Sequence, residues 1–191
     1  MSLRAIESTA DPVPVMELLQ PTPAAMRRGM GGFASGVTVV TAIDGGDPVG
    51  FACQSFASLS LDPPLVLFCA GRQGRSWARV RAAGRFCVNV LGEDQVDLCG
   101  RFGSTDGQRF AGLDWERSAW GAPALPGALL RVHCSLEDVH HGGDHDVAVG
   151  RVLGLDLRPD GRPLIFHRGR FGLDHPQPAT AYGWGFGDRW G

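Results

Sequence analysis

Lysine is absent from this chain: all 18 of its basic side chains are arginines. That removes Schiff-base and amine-nucleophile chemistry, because a guanidinium stays protonated and does not attack carbonyl carbon. No apolar run approaches the roughly 18 to 20 residues that a membrane-spanning helix requires, which argues against a membrane partner. Neither charge is in excess, since 20 acidic residues balance the basic ones to a formal net charge of -2. A chain so balanced offers no positive field to a phosphate backbone, which argues against nucleic acid as a partner. The first residues lack the basic and apolar regions of a secretory leader, so the expected location is cytoplasmic. No Gly-x-Gly-x-x-Gly opens a helix after a strand, so any nicotinamide cofactor must bind by a route other than a Rossmann unit. No Gly-x-Ser-x-Gly elbow is present either, and no cysteine sits in an evident activating setting.

What remains is ordinary for a folded protein: 191 residues, 43% of them hydrophobic, enough for one domain with its own core. Cys53, Cys69, Cys87, Cys99 and Cys134 are odd in number and widely spaced, which reads as buried thiols in a reducing compartment. Residues 1–21 read as a loose arm, 22–173 as the domain, and the Gly- and Trp-rich residues 174–191 as an irregular tail.

Within the domain, residues 22–32 predict a short helix with Thr22 as N-cap and Pro23 in its first turn. Residues 37–43 are β-branched and apolar on both faces, and Asp44-Gly45-Gly46-Asp47 is a tight turn into a second strand over 48–53. Residues 64–69, 85–91, 130–137, 147–157 and 163–167 supply further strands, with 54–60 and 140–144 read as loops. Leu130, Val132, Cys134 and Leu136 alternate with Arg131, His133, Ser135 and Glu137, which predicts a half-buried strand with His133 on its polar face. Short helices are expected over 76–83, stopped by Gly84, and over 93–102. Strands at this spacing, joined by Gly-rich turns and brief helices, favour a closed antiparallel barrel over a parallel sheet.

Three segments carry possible chemistry. Small residues and hydroxyls between Gly50 and Ser60 would let a backbone approach a flat ligand and hydrogen-bond its polar edge, although a bland serine-rich turn has the same look. Arg75-Ser76-Trp77 brings an arginine, a hydroxyl and helix N-terminal amides to one place, a seat for phosphate; the alternative is Ser76 as a plain N-cap with Trp77 in the core. In the His140 to His145 turn the histidine spacing lacks metal-ligand geometry, so no metal is expected. There His145, with Asp144 able to orient its ring, suits an amide or phosphate.

Four ordered blocks within residues 26–171 resemble the flavin reductase family, the small components that supply reduced flavin to two-component monooxygenases. They are Phe33-Ala34-Ser35-Gly36-Val37-Thr38-Val39-Val40-Thr41, the run from Pro48 through Phe51-Ala52-Cys53-Gln54-Ser55-Phe56-Ala57-Ser58-Leu59-Ser60 to Val66, Gly84-Arg85-Phe86-Cys87-Val88-Asn89-Val90-Leu91, and Gly143-Asp144-His145. Their wording is similar to that of the reductase components of actinobacterial steroid-ring hydroxylases. The resemblance implies a mainly β, FMN-binding split β-barrel, antiparallel and Greek-key-like, with a few short peripheral helices. It implies a homodimer, FMN or FAD as flavin, NADH or NADPH as reductant, and a transient functional link to a monooxygenase.

Carried over by motif, Ala52, Cys53, Gln54 and Ser55, with Ser58, Leu59 and Ser60, would line the flavin ring and ribityl chain. Arg75, Ser76 and Trp77 would sit at its phosphate end, with Phe102, Asp144 and Phe171 also in the cofactor site. His145 would face the nicotinamide and be the catalytic residue. Phe171 stands where the family often has tyrosine, and Cys53 where it often has a hydroxyl. Arg168 and Arg170 could favour a 2′-phosphate. The reaction would be hydride transfer aligned by stacking of the two rings. The competing readings are a flavin carrier without turnover and an oxidase that retains its flavin.

Overall fold

The computed structural model describes residues 16–105 and 107–172. Most of the arm and all of the tail expected from the sequence lie outside them. Three helices, α1 (Pro23–Met30), α2 (Arg75–Ala83) and α3 (Val96–Gly103), decorate a framework of strands. The long strands are β2 (Thr38–Asp44), β3 (Asp47–Cys53), β4 (Ala57–Leu61), β5 (Pro64–Gly71), β6 (Arg85–Val90), β9 (Leu130–Gly142) and β10 (His145–Leu157). The short ones are β1 (Ser35–Gly36), β7 (Glu116–Arg117), β8 (Pro123–Ala124), β11 (Ile165–His167) and β12 (Arg170–Phe171).

The long strands form one sheet in the order β3-β2-β6-β9-β10-β5-β4, antiparallel at each pairing that positions the core. The sheet curls until β3 meets β5. There Phe51 and Phe68 lie 6.1 Å apart, and the Ser55 hydroxyl accepts from the Cys69 amide at 2.9 Å and donates to its carbonyl at 3.1 Å. The β2–β3 hairpin turns on Gly45 and Gly46, at φ 61° and 95°, the left-handed pair that a two-residue turn between twisted strands demands.

Two cores result. Inside the barrel, Phe68 meets Trp77 and Phe86 edge to face, at 5.6 and 5.4 Å, with Val40, Val88, Val132 and Ala148 around them. On the outer side, Val37, Val39, Leu91, Phe102, Leu125 and Leu164 form a second cluster under α3. Gly50 is the contact point: a Cβ there would come within 2.9 Å of Phe102 Cε1 and 2.8 Å of the Val40 carbonyl, so β3 needs a bare backbone to accept α3. The fully buried amide of Asn89 is paired at both ends. Asn89 donates to the Val39 carbonyl and to the Thr41 hydroxyl, each at 3.1 Å, and accepts from the Leu125 amide at 2.9 Å.

Several expected boundaries move. The segment after β3 is a loop only as far as Phe56, because Ala57–Leu61 adds an edge strand to β5. The expected 140–144 loop is instead the tip of a long hairpin, β9 running to Gly142 and β10 starting at His145, with Gly143 at φ 70°. The helix expected over 93–102 begins at Val96, and α2 is capped by Gly74, not Ser76. His133 is not on a solvent face: it is fully buried, stacked on Trp120 at 4.4 Å, and bonded to Asp156 at 2.9 Å. Among the described residues no helix is long and apolar enough to cross a membrane.

One buried charge joins helix to hairpin. Asp146, 3% exposed, accepts from the Trp77 indole N–H and from His141 Nδ1, each at 2.8 Å. Arg72 and Arg81 stand 3.6 and 3.9 Å from its oxygens. The indole hydrogen bond first, and the His141 bond second, hold its carboxyl below the usual aspartate range.

Two outcomes are expected. Phe68→Ala should lower the unfolding free energy by about 3–5 kcal/mol, read from denaturant titration, because it empties the centre of three aromatic contacts. Asp146 has its pKa depressed on folding, so its stabilisation is complete above the unfolded value of about 3.9 and is lost as pH falls through the lower folded value. Asp146→Asn should therefore melt below the wild type at neutral pH, with the gap in Tm closing below about pH 3.9; a gap of constant size would refute the role assigned to the charge.

Candidate functional site

The end of β3, the end of β5, α3 and the β11–β12 hairpin enclose a cavity of about 650 Å³. Its wall carries Ala52, Cys53, Gln54 and Ser55 from one side, Cys69 and Gly71 from the other, His145 at the hairpin tip, and Phe171. Phe51, Ala70 and Gly71 also border a second cavity of about 510 Å³, so the two adjoin at that neck. The second is lined by Arg75, Ser76, Arg79, Arg109 and Phe110. A third hollow lies beside Gly71 between Arg72, Gln73, Gly74, Asp144 and His145.

The two main cavities differ in character. Among the described residues no carboxylate or guanidinium borders the first, and glycine, alanine, serine and cysteine make up most of its wall. Small neutral residues allow a planar ring to come close to backbone amides and carbonyls. Burial pushes the Cys53 thiol up, so it stays protonated. The second cavity gathers three guanidinium groups at the start of α2. Arg79 is already paired with Asp44 at 2.7 Å, while Arg75 is exposed and has no carboxylate within ion-pair distance among the described residues.

His145 stands where the first cavity and the third hollow meet. Its Nδ1 is 2.8 Å from Asp144 Oδ1, and a Cβ placed on Gly71 would lie 3.9 Å from its Nε2. The hydrogen bond to His145 lowers the Asp144 carboxyl, so an ionised Asp144 accepts from Nδ1–H and fixes the tautomer. A neutral ring then presents Nε2 as an acceptor. The hairpin tip is held in turn by the Arg72 amide, which donates to the Asp144 carbonyl at 3.0 Å.

Most of the residues singled out from the sequence converge. Ala52, Cys53, Gln54, Ser55, His145 and Phe171 share the first cavity, and Arg75 and Ser76 the second. Ser58, Leu59 and Ser60 do not border either; they lie on the edge strand β4. Trp77 also borders the second cavity, although it is 3% exposed and its indole is turned into the barrel and tied to Asp146, so it anchors α2 as well. One aromatic residue needs correction. Phe102 is 1% exposed in the outer core beneath Gly50 and borders none of these spaces. Sequence reasoning missed Gly71 and Arg109. Gly71 carries no motif of its own, and two of the bonds of Arg109 end on backbone carbonyls, which leave no mark in a sequence.

A flavin fits this donor set. Hydroxyl and amide groups around Ser55 suit the polar edge of a ring, small neutral walls suit its faces, and the arginines suit a phosphate.

Comparison with known proteins agrees. The model of the flavin reductase like domain matches residues 30–172. The reductase subunit HsaB of a flavin-dependent monooxygenase from Rhodococcus jostii is 50% identical over 93% of this chain and 90% of its own. An FMN reductase (NADH) of Agrobacterium fabrum is 43% identical over 76% of this chain and 83% of its own. Among solved structures, an NADH:FAD oxidoreductase of Streptomyces globisporus, in complex with NAD and FAD fragments, superposes with a TM-score of 0.79 at 35% identity, covering 84% of this chain and 98% of that one. With three quarters of its length matched by one family model and a split-barrel architecture to go with it, this chain belongs to the flavin reductase like domain family.

Proposed function

We propose that this protein is an NADH-dependent flavin reductase that supplies reduced flavin to a partner monooxygenase. The observation that carries the reading is the small-residue cavity bordered by His145, next to an arginine-lined cavity with which it shares Phe51, Ala70 and Gly71. One space suits two flat heterocycles and the other an anionic tail. The relatives named as an FMN reductase and an NADH:FAD oxidoreductase support flavin and NADH as the two reactants.

The hydride chemistry belongs to the two bound rings, and the protein's contribution is proximity and alignment. The backbone from Ala52 to Ser55 and the bare wall at Gly71 set how closely a flavin ring can lie. Ser55 is itself held at the barrel closure by Cys69, so the edge it offers is rigid. His145 Nε2, an acceptor when Asp144 holds Nδ1–H, matches the amide N–H of a nicotinamide carboxamide. Arg75 and Ser76 hold the flavin phosphate. Ser58, Leu59 and Ser60 would join the site only from the edge of a second copy; Leu59 and Leu61 on that edge are 47% and 70% exposed, which supports a homodimer.

Anaerobic mixing of the protein with NADH and excess FMN or FAD should bleach the long-wavelength flavin absorbance. His145→Ala should lower kcat/KM for NADH by about tenfold or more, the worth of one well-placed hydrogen bond to a bound reactant. A protein that binds flavin but never bleaches it with NADH is a carrier. One that is purified yellow and consumes oxygen only with an organic substrate is an oxidase.

A further inference from the structure

We propose that Arg109 is a positioning residue that turns the Ser76 hydroxyl into a directed donor for a phosphate monoester, here the 5′-phosphate of the flavin; this rests on the flavin-site reading above. Arg109 belongs to the segment after α3, outside every motif that marks the cleft. Its guanidinium nevertheless touches three of the segments that build it. Nη1 donates to the Gly50 carbonyl of β3 at 2.7 Å and to Ser76 Oγ of α2 at 2.6 Å, and Nη2 donates to the Ser104 carbonyl at the end of α3.

The consequence lies in the hydrogens. The two on Nη1 are both used, one on Gly50 and one on Ser76. Ser76 Oγ therefore accepts from a cation on its inner side, and its own proton must point elsewhere. Among the described residues no oxygen takes that proton. The hydroxyl sits on the wall of the second cavity beside Arg75, so its free direction is into that space. An oxygen that accepts from a cation is depleted of electron density, and its O–H becomes a stronger donor. A phosphate monoester, with three acceptor oxygens, is the ligand class that uses both this donor and the charge of Arg75. A planar fork that spans Gly50, Ser76 and Ser104 at once is a task for arginine, which a single ammonium does not perform.

The test compares FMN with riboflavin, which has the same ring and no phosphate. Steady-state kinetics with saturating NADH give kcat/KM for each flavin, and their ratio measures how strongly the phosphate is recognised. Arg109→Gln should reduce that ratio by about tenfold or more, chiefly through KM for FMN. Ser76→Ala should do the same, and the double variant should be no worse than the worse single one, because one residue acts through the other. Should Arg109→Gln prove too unstable to assay, Arg109→Lys, which keeps the charge but reaches a single acceptor, should still lower the ratio. If both flavins weaken equally, Arg109 merely holds the shape of the cleft, and the proposal fails. It also fails if the two single losses simply add. A wild-type protein that reduces FMN and riboflavin with equal kcat/KM overturns the phosphate seat itself together with this role. A wild-type preference for FMN that survives Arg109→Gln overturns the role of Arg109 alone.

Discussion

A carboxylate enclosed to within a few per cent of full burial has lost its hydration and must recover it from protein groups, which fixes those groups as firmly as they fix the carboxylate. Asp146 is that group here. Its partners come from opposite sides, the Trp77 indole from α2 and the His141 ring from β9, with two arginines near its oxygens. Trp77 is the residue after Ser76, and Asp146 the residue after His145. One bridge thus sets the separation between the part of the cleft that would grip a phosphate and the part that would meet a nicotinamide. Moving either segment alone would take from the carboxylate the donors that replace its water.

That constraint matters because hydride transfer between two rings asks little of acids or bases and much of distance. A reacting pair held near contact gains most of its acceleration from orientation already fixed before the reactants arrive. The cleft is built accordingly. Small residues make up most of the first cavity's wall, while arginines gather in the second and Arg72 and Asp144 border the third. The separation also suits a flavin that must leave after reduction: grip at the phosphate end can be modest without loosening the alignment of the ring.

How much of this could be read from the sequence depended on whether the relevant partner was local. Thr22 caps α1 by accepting from the Ala25 amide, and Gly84 ends α2 at φ 67°, both three or four residues from the groups they satisfy and both legible. The Asp44–Asp47 turn was legible for the same reason. Strand β4 was not, because an edge strand exposed along most of its length has no alternation to betray it. His133 was assigned to a polar face since its neighbours in sequence are charged; what buries it is Trp120, from a segment without periodicity. Ala52, Cys53, Gln54 and Ser55, which border the first cavity, were singled out by resemblance to the flavin reductase family. Arg109 escaped because its bonds to Gly50 and Ser104 end on backbone oxygens, which every residue possesses.

Cys53 shows how the fold disciplines a group that would otherwise interfere. A thiolate is a strong nucleophile, and an oxidised flavin is an electron-poor ring, so a reactive cysteine in the wall of this cavity would compete with hydride for the same ligand. The barrel prevents this by burial. Cys53 is 6% exposed, its thiol is pushed above the ordinary cysteine range by desolvation, its S–H donates to the Cys69 carbonyl at 3.7 Å, and its sulfur lies 3.4 Å from the Ser55 hydroxyl. Held as a neutral thiol, it behaves as a small apolar residue that fills the seam where β3 meets β5. The closure of the barrel and the chemical quietness of the pocket therefore have one origin, the seam at which Ser55, Cys53 and Cys69 meet.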